Sequence, residues 1–176
     1  MRSPAELDNL LVLISRKDMA AFEEFYQELG RAVYGLAYAV TKSPQDAEDI
    51  MQNTFIRVWD KAELYRQGTN AKAWTMKIAQ NFSLTRYREN RRFAELDYEL
   101  PSEDVFAQTI NSQMLNTILA PLKKDEREIV VLYAMGFSHK EIAQILKKPY
   151  ATVRWKYRYV LNKLYSAEKG ENYERA

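Results

Sequence analysis

Residues 137–164, FSHKEIAQILKKPYATVRWKYRYVLNKL, constrain the fold of this chain more than any other stretch. Ser138 and Glu141 have the S-x-x-E spacing of a capping box, in which each side chain satisfies a backbone N–H left open at a helix start. Ile142, Ala143, Ile145 and Leu146 give the helix that follows an apolar face. Lys147-Lys148-Pro149 stops it, because proline has no N–H and disfavours a helical residue before it. Val153, Tyr157, Val160 and Leu164 then fall on one stripe of a second helix. Its other faces carry Arg154, Trp155, Lys156, Arg158 and Lys163, and from Ile142 to Ala167 there are six basic residues and no acidic one. A helix-turn-helix with that charge field suits a DNA major groove. A plain helical hairpin with a solvated basic face would share the stripe. Cap, turn, stripe and charge together favour DNA.

The rest of the chain points to helices as well. It has 176 residues, enough for one medium domain or two small ones. Apolar residues make up 47%, so a packed core can form, and five glycines and five prolines leave few turns. No strand-type alternation is evident. With no cysteine there are no disulfides or thiolate metal sites. No apolar run reaches the roughly 18 residues of a membrane span. The N-terminus MRSPAELDNLL has no signal-peptide core, so a soluble cytoplasmic protein is expected.

Leu7, Leu10, Leu11 and Ile14 predict a first short helix. Asp18 is placed to cap a second, through Phe22, Phe25, Leu29, Val33, Leu36 and Val40. Ser43-Pro44 opens a third, with Ser43 as N-cap and Asp46, Glu48 and Asp49 where the helix dipole favours negative charge. Residues 64–71 read as a loop around Gly68. A fourth helix spans about Lys72 to Arg92, with Trp74, Ile78, Ala79 and Phe82 inward and Arg86, Arg88, Arg91 and Arg92 at its end. From Phe93 to Ser112 there are five acids and no base, which reads as an acidic linker. Helices resume near Gln113, break at Pro121 and restart at Asp125.

The fourth helix and the loop before it interleave Tyr65, Trp74, Phe82 and Tyr87 with Lys72, Lys77, Arg86 and Arg88. Rings beside cations suit single-stranded DNA, since bases stack and phosphates pair with charge. Trp74 and Phe82 would serve equally as core. Asn81 is either bonded to its own helix or a contact residue. On the third helix Asp49, Gln52, Asn53 and Ile56 share a face, which fits protein docking and a solvated face alike. His139, the only histidine, is expected to be solvated, and no second histidine or cysteine completes a metal cluster. An enzymatic reading, such as a nucleic-acid hydrolase, lacks acids converging on a metal. A helix-turn-helix regulator that dimerises on DNA without polymerase is a closer rival.

The run DAEDIMQNTFIRVW resembles the docking segment of bacterial extracytoplasmic-function (ECF) sigma factors of the sigma-70 family. AWTMKIAQNFSLTRYRENRR is similar to their W-L-x-x-I-A-x-N…R…R-R segment. LKKDEREIVVLYAMGFSHKEIAQILKKPYATV resembles their fourth domain, with its G-x-S-x-x-E-I-A element and later Thr-Val. The resemblance covers about residues 18–92 and 113–165. It implies an all-α protein of two small helical domains: residues 1–92 as domain 2, an acidic linker at 93–112, residues 113–168 as domain 4 and a tail at 169–176. Domain 2 would dock on the clamp coiled coil of the largest subunit of core RNA polymerase through Asp49, Gln52, Asn53, Ile56 and Trp59. The 65–72 loop and the fourth helix would hold an unpaired base of the −10 element, with Lys72, Lys77, Asn81, Arg86 and Arg88 as contacts. Domain 4 would read −35 duplex through Arg154, Trp155, Lys156 and Arg158. The partners implied are core polymerase, promoter DNA and an anti-sigma factor, with no cofactor, no small-molecule substrate and no catalysis. Pro149, Trp155, Lys156 and Asn53 depart from the family's usual residues, which bears on promoter preference more than on class.

Overall fold

A computed structural model describes residues 2–94 and 118–168. Every regular element among them is helical, and the chain divides into two compact units, Met1–Phe106 and Ala107–Ala176. The acidic segment lies almost wholly outside the described residues, as does the tail.

The first unit begins with α1, Pro4–Ser15. Ser3 caps it and exchanges hydrogen bonds with Glu6, so two N–H groups are satisfied at once. Leu7, Leu10, Leu11 and Ile14 are all buried, as their spacing predicts. α2, Met19–Thr41, is capped by Asp18, whose carboxylate accepts from the Ala21 N–H at 3.0 Å. From Ala32 to Val40 every residue of α2 is buried, the mark of a helix surrounded by others. α3, Pro44–Lys61, starts at Ser43, which accepts from the Asp46 N–H at 3.2 Å. Phe22, Phe25 and Tyr26 of α2 meet Phe55 with ring centroids 4.6–6.5 Å apart, which ties α2 to α3.

α4, Ala71–Ala94, runs two residues past its expected end and differs in phase from its expected orientation. Ala71, Lys72, Thr75, Met76, Ala79, Gln80 and Ser83 face inward, whereas Trp74, Ile78 and Phe82 are only half-buried. The hydroxyls of Thr75 and Ser83 donate to the carbonyls of Ala71 and Ala79, at 3.0 and 2.8 Å. A hydroxyl satisfied on its own helix packs like a small apolar group. The narrow stripe lies against the bundle, and the large rings cover its edge.

The second unit holds α5 (Lys124–Ala134), α6 (His139–Leu146) and α7 (Tyr150–Glu168). The capping box at α6 forms as the sequence predicts: the Glu141 carboxylate accepts from the Ser138 N–H at 2.8 Å, and the Ser138 hydroxyl accepts from the Glu141 N–H at 3.3 Å. Lys147 ends α6 in the left-handed region at φ 52°, and Pro149 precedes α7. Ile129, Leu132, Phe137, Ile142, Ile145, Val153 and Val160 form the core. Tyr157 and Leu164, on the same stripe of α7, are half-buried.

Candidate nucleic-acid interface

The basic residues of α7 divide by type. Arg154 and Arg158 are exposed on α7, and between them stands Trp155, 63% exposed. Its ring lies parallel to that of Tyr159, centroids 5.5 Å apart. Lys148, Lys156 and Lys163 turn back toward α5 and the segment before it. Lys156 pairs with Asp125, Lys148 approaches the same carboxylate at 3.9 Å, and Lys163 donates to the Pro121 carbonyl at 2.7 Å. Burial pushes the Asp125 carboxyl up, but Lys156 and Lys148 outweigh it and hold it below its ordinary value. Of the four expected −35 residues, three face solvent together and Lys156 holds α7 to α5.

His139 is not solvated as expected. Its ring stacks on Tyr133 and meets Tyr157 edge-on, each at 5.0 Å. Its Nε2 is buried and has no hydrogen-bond partner among the described residues. Tyr133 and Tyr157 also touch, at 4.1 Å, so the three rings form a small cluster at the join of α5, α6 and α7.

The five expected −10 residues split across α4. At about 100° per residue, Lys77, Asn81 and Arg88 share one stripe, while Lys72 and Arg86 lie on the opposite side. Asn81 and Arg88 are exposed and Lys77 is half-buried. Lys72 is only 7% exposed. Arg86 reaches across to α3, 3.3 Å from Asp46 and 3.8 Å from Asp49. Beside the outward stripe, Arg57, Ile78, Asn81, Phe82 and Thr85 line an open cavity of about 330 Å³ between α3 and α4. The Arg57 guanidinium sits 6.0 Å from the Phe82 ring. Arg57 carries no signal in the sequence, because only the packing of α3 on α4 brings it to Phe82.

The loop before α4 is tightly held. Gly68 and Asn70 both have positive φ, 83° and 91°. Asn70 caps α4, its Oδ1 accepting from the Ala73 N–H at 2.9 Å. The Tyr65 ring packs on Trp74 at 5.5 Å. Burial, with the hydrogen bond its hydroxyl donates to Asp8, pushes the Tyr65 phenol up to about 12.

On α3, Gln52, Asn53 and Ile56 form an exposed stripe, with Ile56 58% exposed. Asp49 lies half-buried at its upper end. Trp59 packs edge-on against Phe22 at 5.2 Å and is covered by Lys17, whose ammonium also donates to the Trp59 carbonyl at 2.9 Å. Four of the five expected docking residues therefore line one face, and Trp59, half-buried, flanks it where α3 meets α2.

A helix-turn-helix with outward arginines in one unit, and a basic helix beside an exposed amide stripe in the other, define a DNA-binding transcription factor of two helical units. Comparison with known proteins places it more closely. Residues 25–93 match the family model "Sigma-70 region 2" and residues 112–158 match "Sigma-70, region 4", together about two thirds of the chain. The chain is 26% identical over 162 residues to the ECF RNA polymerase sigma factor SigK of Mycolicibacterium vanbaalenii, covering 85% of this chain and 83% of that one. It is 33% identical over 147 residues to the ECF RNA polymerase sigma factor SigE of Mycolicibacterium smegmatis, covering 77% of this chain and 57% of that longer one. Among solved structures, it is similar to CnrH in complex with the cytosolic domain of CnrY, with a TM-score of 0.73 at 20% identity, covering 95% of this chain and 99% of that one. It is also similar to the sigma factor RpoE in complex with the anti-sigma factor NepR from Bartonella quintana, with a TM-score of 0.69 at 26% identity, covering 87% and 99%. The chain belongs to the sigma-70 family, in its ECF class. It is an RNA polymerase sigma factor, and its partners are core polymerase and promoter DNA. Among the described residues no helix is long and apolar enough to cross a membrane.

Proposed function

We propose that the two units divide the promoter between them. Residues 1–92 act as domain 2 and residues 113–168 as domain 4, with 93–112 as the tether and 169–176 as a tail. Domain 2 docks on the clamp coiled coil of the largest polymerase subunit through Gln52, Asn53 and Ile56, with Asp49 and Trp59 supporting that face. The 65–72 loop, with Lys77, Asn81 and Arg88, holds an unpaired −10 base. Domain 4 reads −35 duplex through Arg154, Trp155 and Arg158. Lys72, buried, and Arg86 and Lys156, in ion pairs between helices, support these surfaces.

The observation that carries this reading is the outward placement of Arg154, Trp155 and Arg158 on the second helix of a helix-turn-helix. Arginine can bridge guanine O6 and N7, and an exposed ring suits a thymine methyl or a sugar. The protein performs no chemistry. Its binding free energy positions polymerase and stabilises an opened strand, and joining two DNA modules raises the effective concentration of each at the other's site. It acts in the cytoplasm. An anti-sigma factor holds it inactive, as the NepR complex of RpoE suggests. The test is runoff transcription with core polymerase on promoters selected from a random library. Initiation that depends on both −10 and −35 positions supports the reading. Tight operator binding without retained polymerase contradicts it.

A further inference from the structure

The Asp8 carboxylate is 8% exposed and lies on the inward face of α1, among Leu7, Leu10 and Leu11. Its three partners among the described residues lie far along the chain, in the loop before α4 and at that helix's first residue. Oδ1 accepts from the Tyr65 hydroxyl at 2.5 Å and the Ala71 N–H at 3.0 Å, and Oδ2 accepts from the Gly68 N–H at 2.8 Å. All three donors are neutral. A buried carboxylate without a cation is tolerated only when donors converge on it, so this arrangement is demanding of both sides. The loop itself is strained, since Asn70 holds a positive φ that side-chain-bearing residues seldom adopt. Such backbone persists where its surroundings over-determine it. Asp8 provides that constraint from beneath, while Arg66, Gln67 and Thr69 stay exposed on the outer rim.

We propose that Asp8 is a positioning residue for −10 recognition: it fixes the shape of the 65–71 loop, and so which unpaired base the loop accepts. This rests on the reading above that the loop holds such a base. Asp8 does not touch DNA. It acts through the Gly68 and Ala71 amides, and a shift of the loop by a fraction of a bond length alters fit to a base more than overall affinity. In Asp8→Asn the amide NH2 that replaces one oxygen faces a donor, either the Gly68 N–H or the Tyr65–Ala71 pair. Tyr65→Phe removes one hydrogen bond and leaves the ring on Trp74.

The experiment uses the full chain with core polymerase on a promoter library randomised through the −10 element. Base preference is read at every position, beside affinity for core polymerase and for −35 duplex. Asp8→Asn is expected to flatten preference at one position by about tenfold, and Tyr65→Phe by less, with both affinities within about twofold. Amide exchange at Gly68 and Ala71 should quicken in Asp8→Asn. Faster exchange with unchanged preference overturns the proposal. So does a parallel fall in polymerase affinity, which would mark general loss of structure. If Asp8→Asn does not fold, Tyr65→Phe decides on the same readouts. The double variant Arg66→Ala, Gln67→Ala tests the underlying reading. A change there with none from Asp8 or Tyr65 sinks the role of Asp8 alone, and no change from any of them sinks the loop's role and with it that of Asp8.

Discussion

Arg86, on the basic end of α4, lies 3.3 Å from Asp46 in the first turn of α3. Asp46 is nearly buried and also accepts from the Asn90 amide at 2.7 Å, so one carboxylate holds two successive turns of α4. An arginine that looks from sequence like a phosphate contact is thus part of the clasp between two helices. Asp46→Ala removes the partner of the Asn90 amide and leaves Arg86 only its longer contacts with Asp49 and Glu89, and should destabilise the first unit by about 1–2 kcal/mol, discounted for the partial exposure of Arg86. Arg86→Ala should cost about as much. Urea denaturation measures both. A variant of full stability whose DNA binding loses salt dependence would place Arg86 on DNA instead.

The lysines and arginines of α7 should separate cleanly by assay. Arg158→Ala should reduce the salt slope of −35 binding by about one unit, with stability changed by less than about 0.5 kcal/mol. Lys156→Ala should leave the slope intact and destabilise the second unit by about 1 kcal/mol, since it removes a pair with a half-buried carboxylate. Isothermal binding at several salt concentrations, with thermal melts of the same variants, tests the division.

Asp125 gives the second unit an acid-sensitive joint. Its carboxyl is held below the ordinary value, so its contribution is present above the unfolded value of about 4 and fades as pH falls through the folded one. Hydrogen exchange in the full chain should show α5 and α7 losing protection over that fall. Asp125→Asn should flatten the response there and leave α1 and α2 as before.

Tyr65 should act at the opposite end of the scale. Its phenol titrates near 12 in the folded chain against about 10 unfolded, so the folded state keeps its proton over that interval. The stability it contributes is complete below pH about 10 and is lost as pH rises toward 12. Tyr157 is also pushed up, by burial and by Tyr133, so phenolate absorbance should show a late-titrating fraction that Tyr65→Phe reduces by one tyrosine, and the variant should lose stability less steeply over the same interval.

What the sequence makes legible is local. Asp18, Ser43 and Ser138 were readable as caps because a cap's partner lies three residues away, and Pro44 and Pro149 marked helix boundaries for the same reason. The leucine stripe of α1 and the turn at Lys147 followed from short-range pattern. The phase of α4 was not legible, because Thr75 and Ser83 read as polar until their hydroxyls are seen bonded to their own helix. Nor was the sorting of α7's cations, which depends on Asp125 lying 31 residues from Lys156. Asp8 was least visible of all. Nothing near it in sequence needs a carboxylate, and its partners begin 57 residues away. His139 belongs with these, since the tyrosines that enclose it come from α5 and α7.

On the proposed function, two surfaces of one chain meet two separate promoter segments. Photocrosslinking within a polymerase–promoter complex tests this most directly, with a photoreactive side chain placed at Asn81 in one preparation and at Trp155 in another. The account predicts that position 81 labels the opened −10 strand and position 155 the −35 duplex. Labelling of the same segment from both positions, or of protein alone, would contradict it.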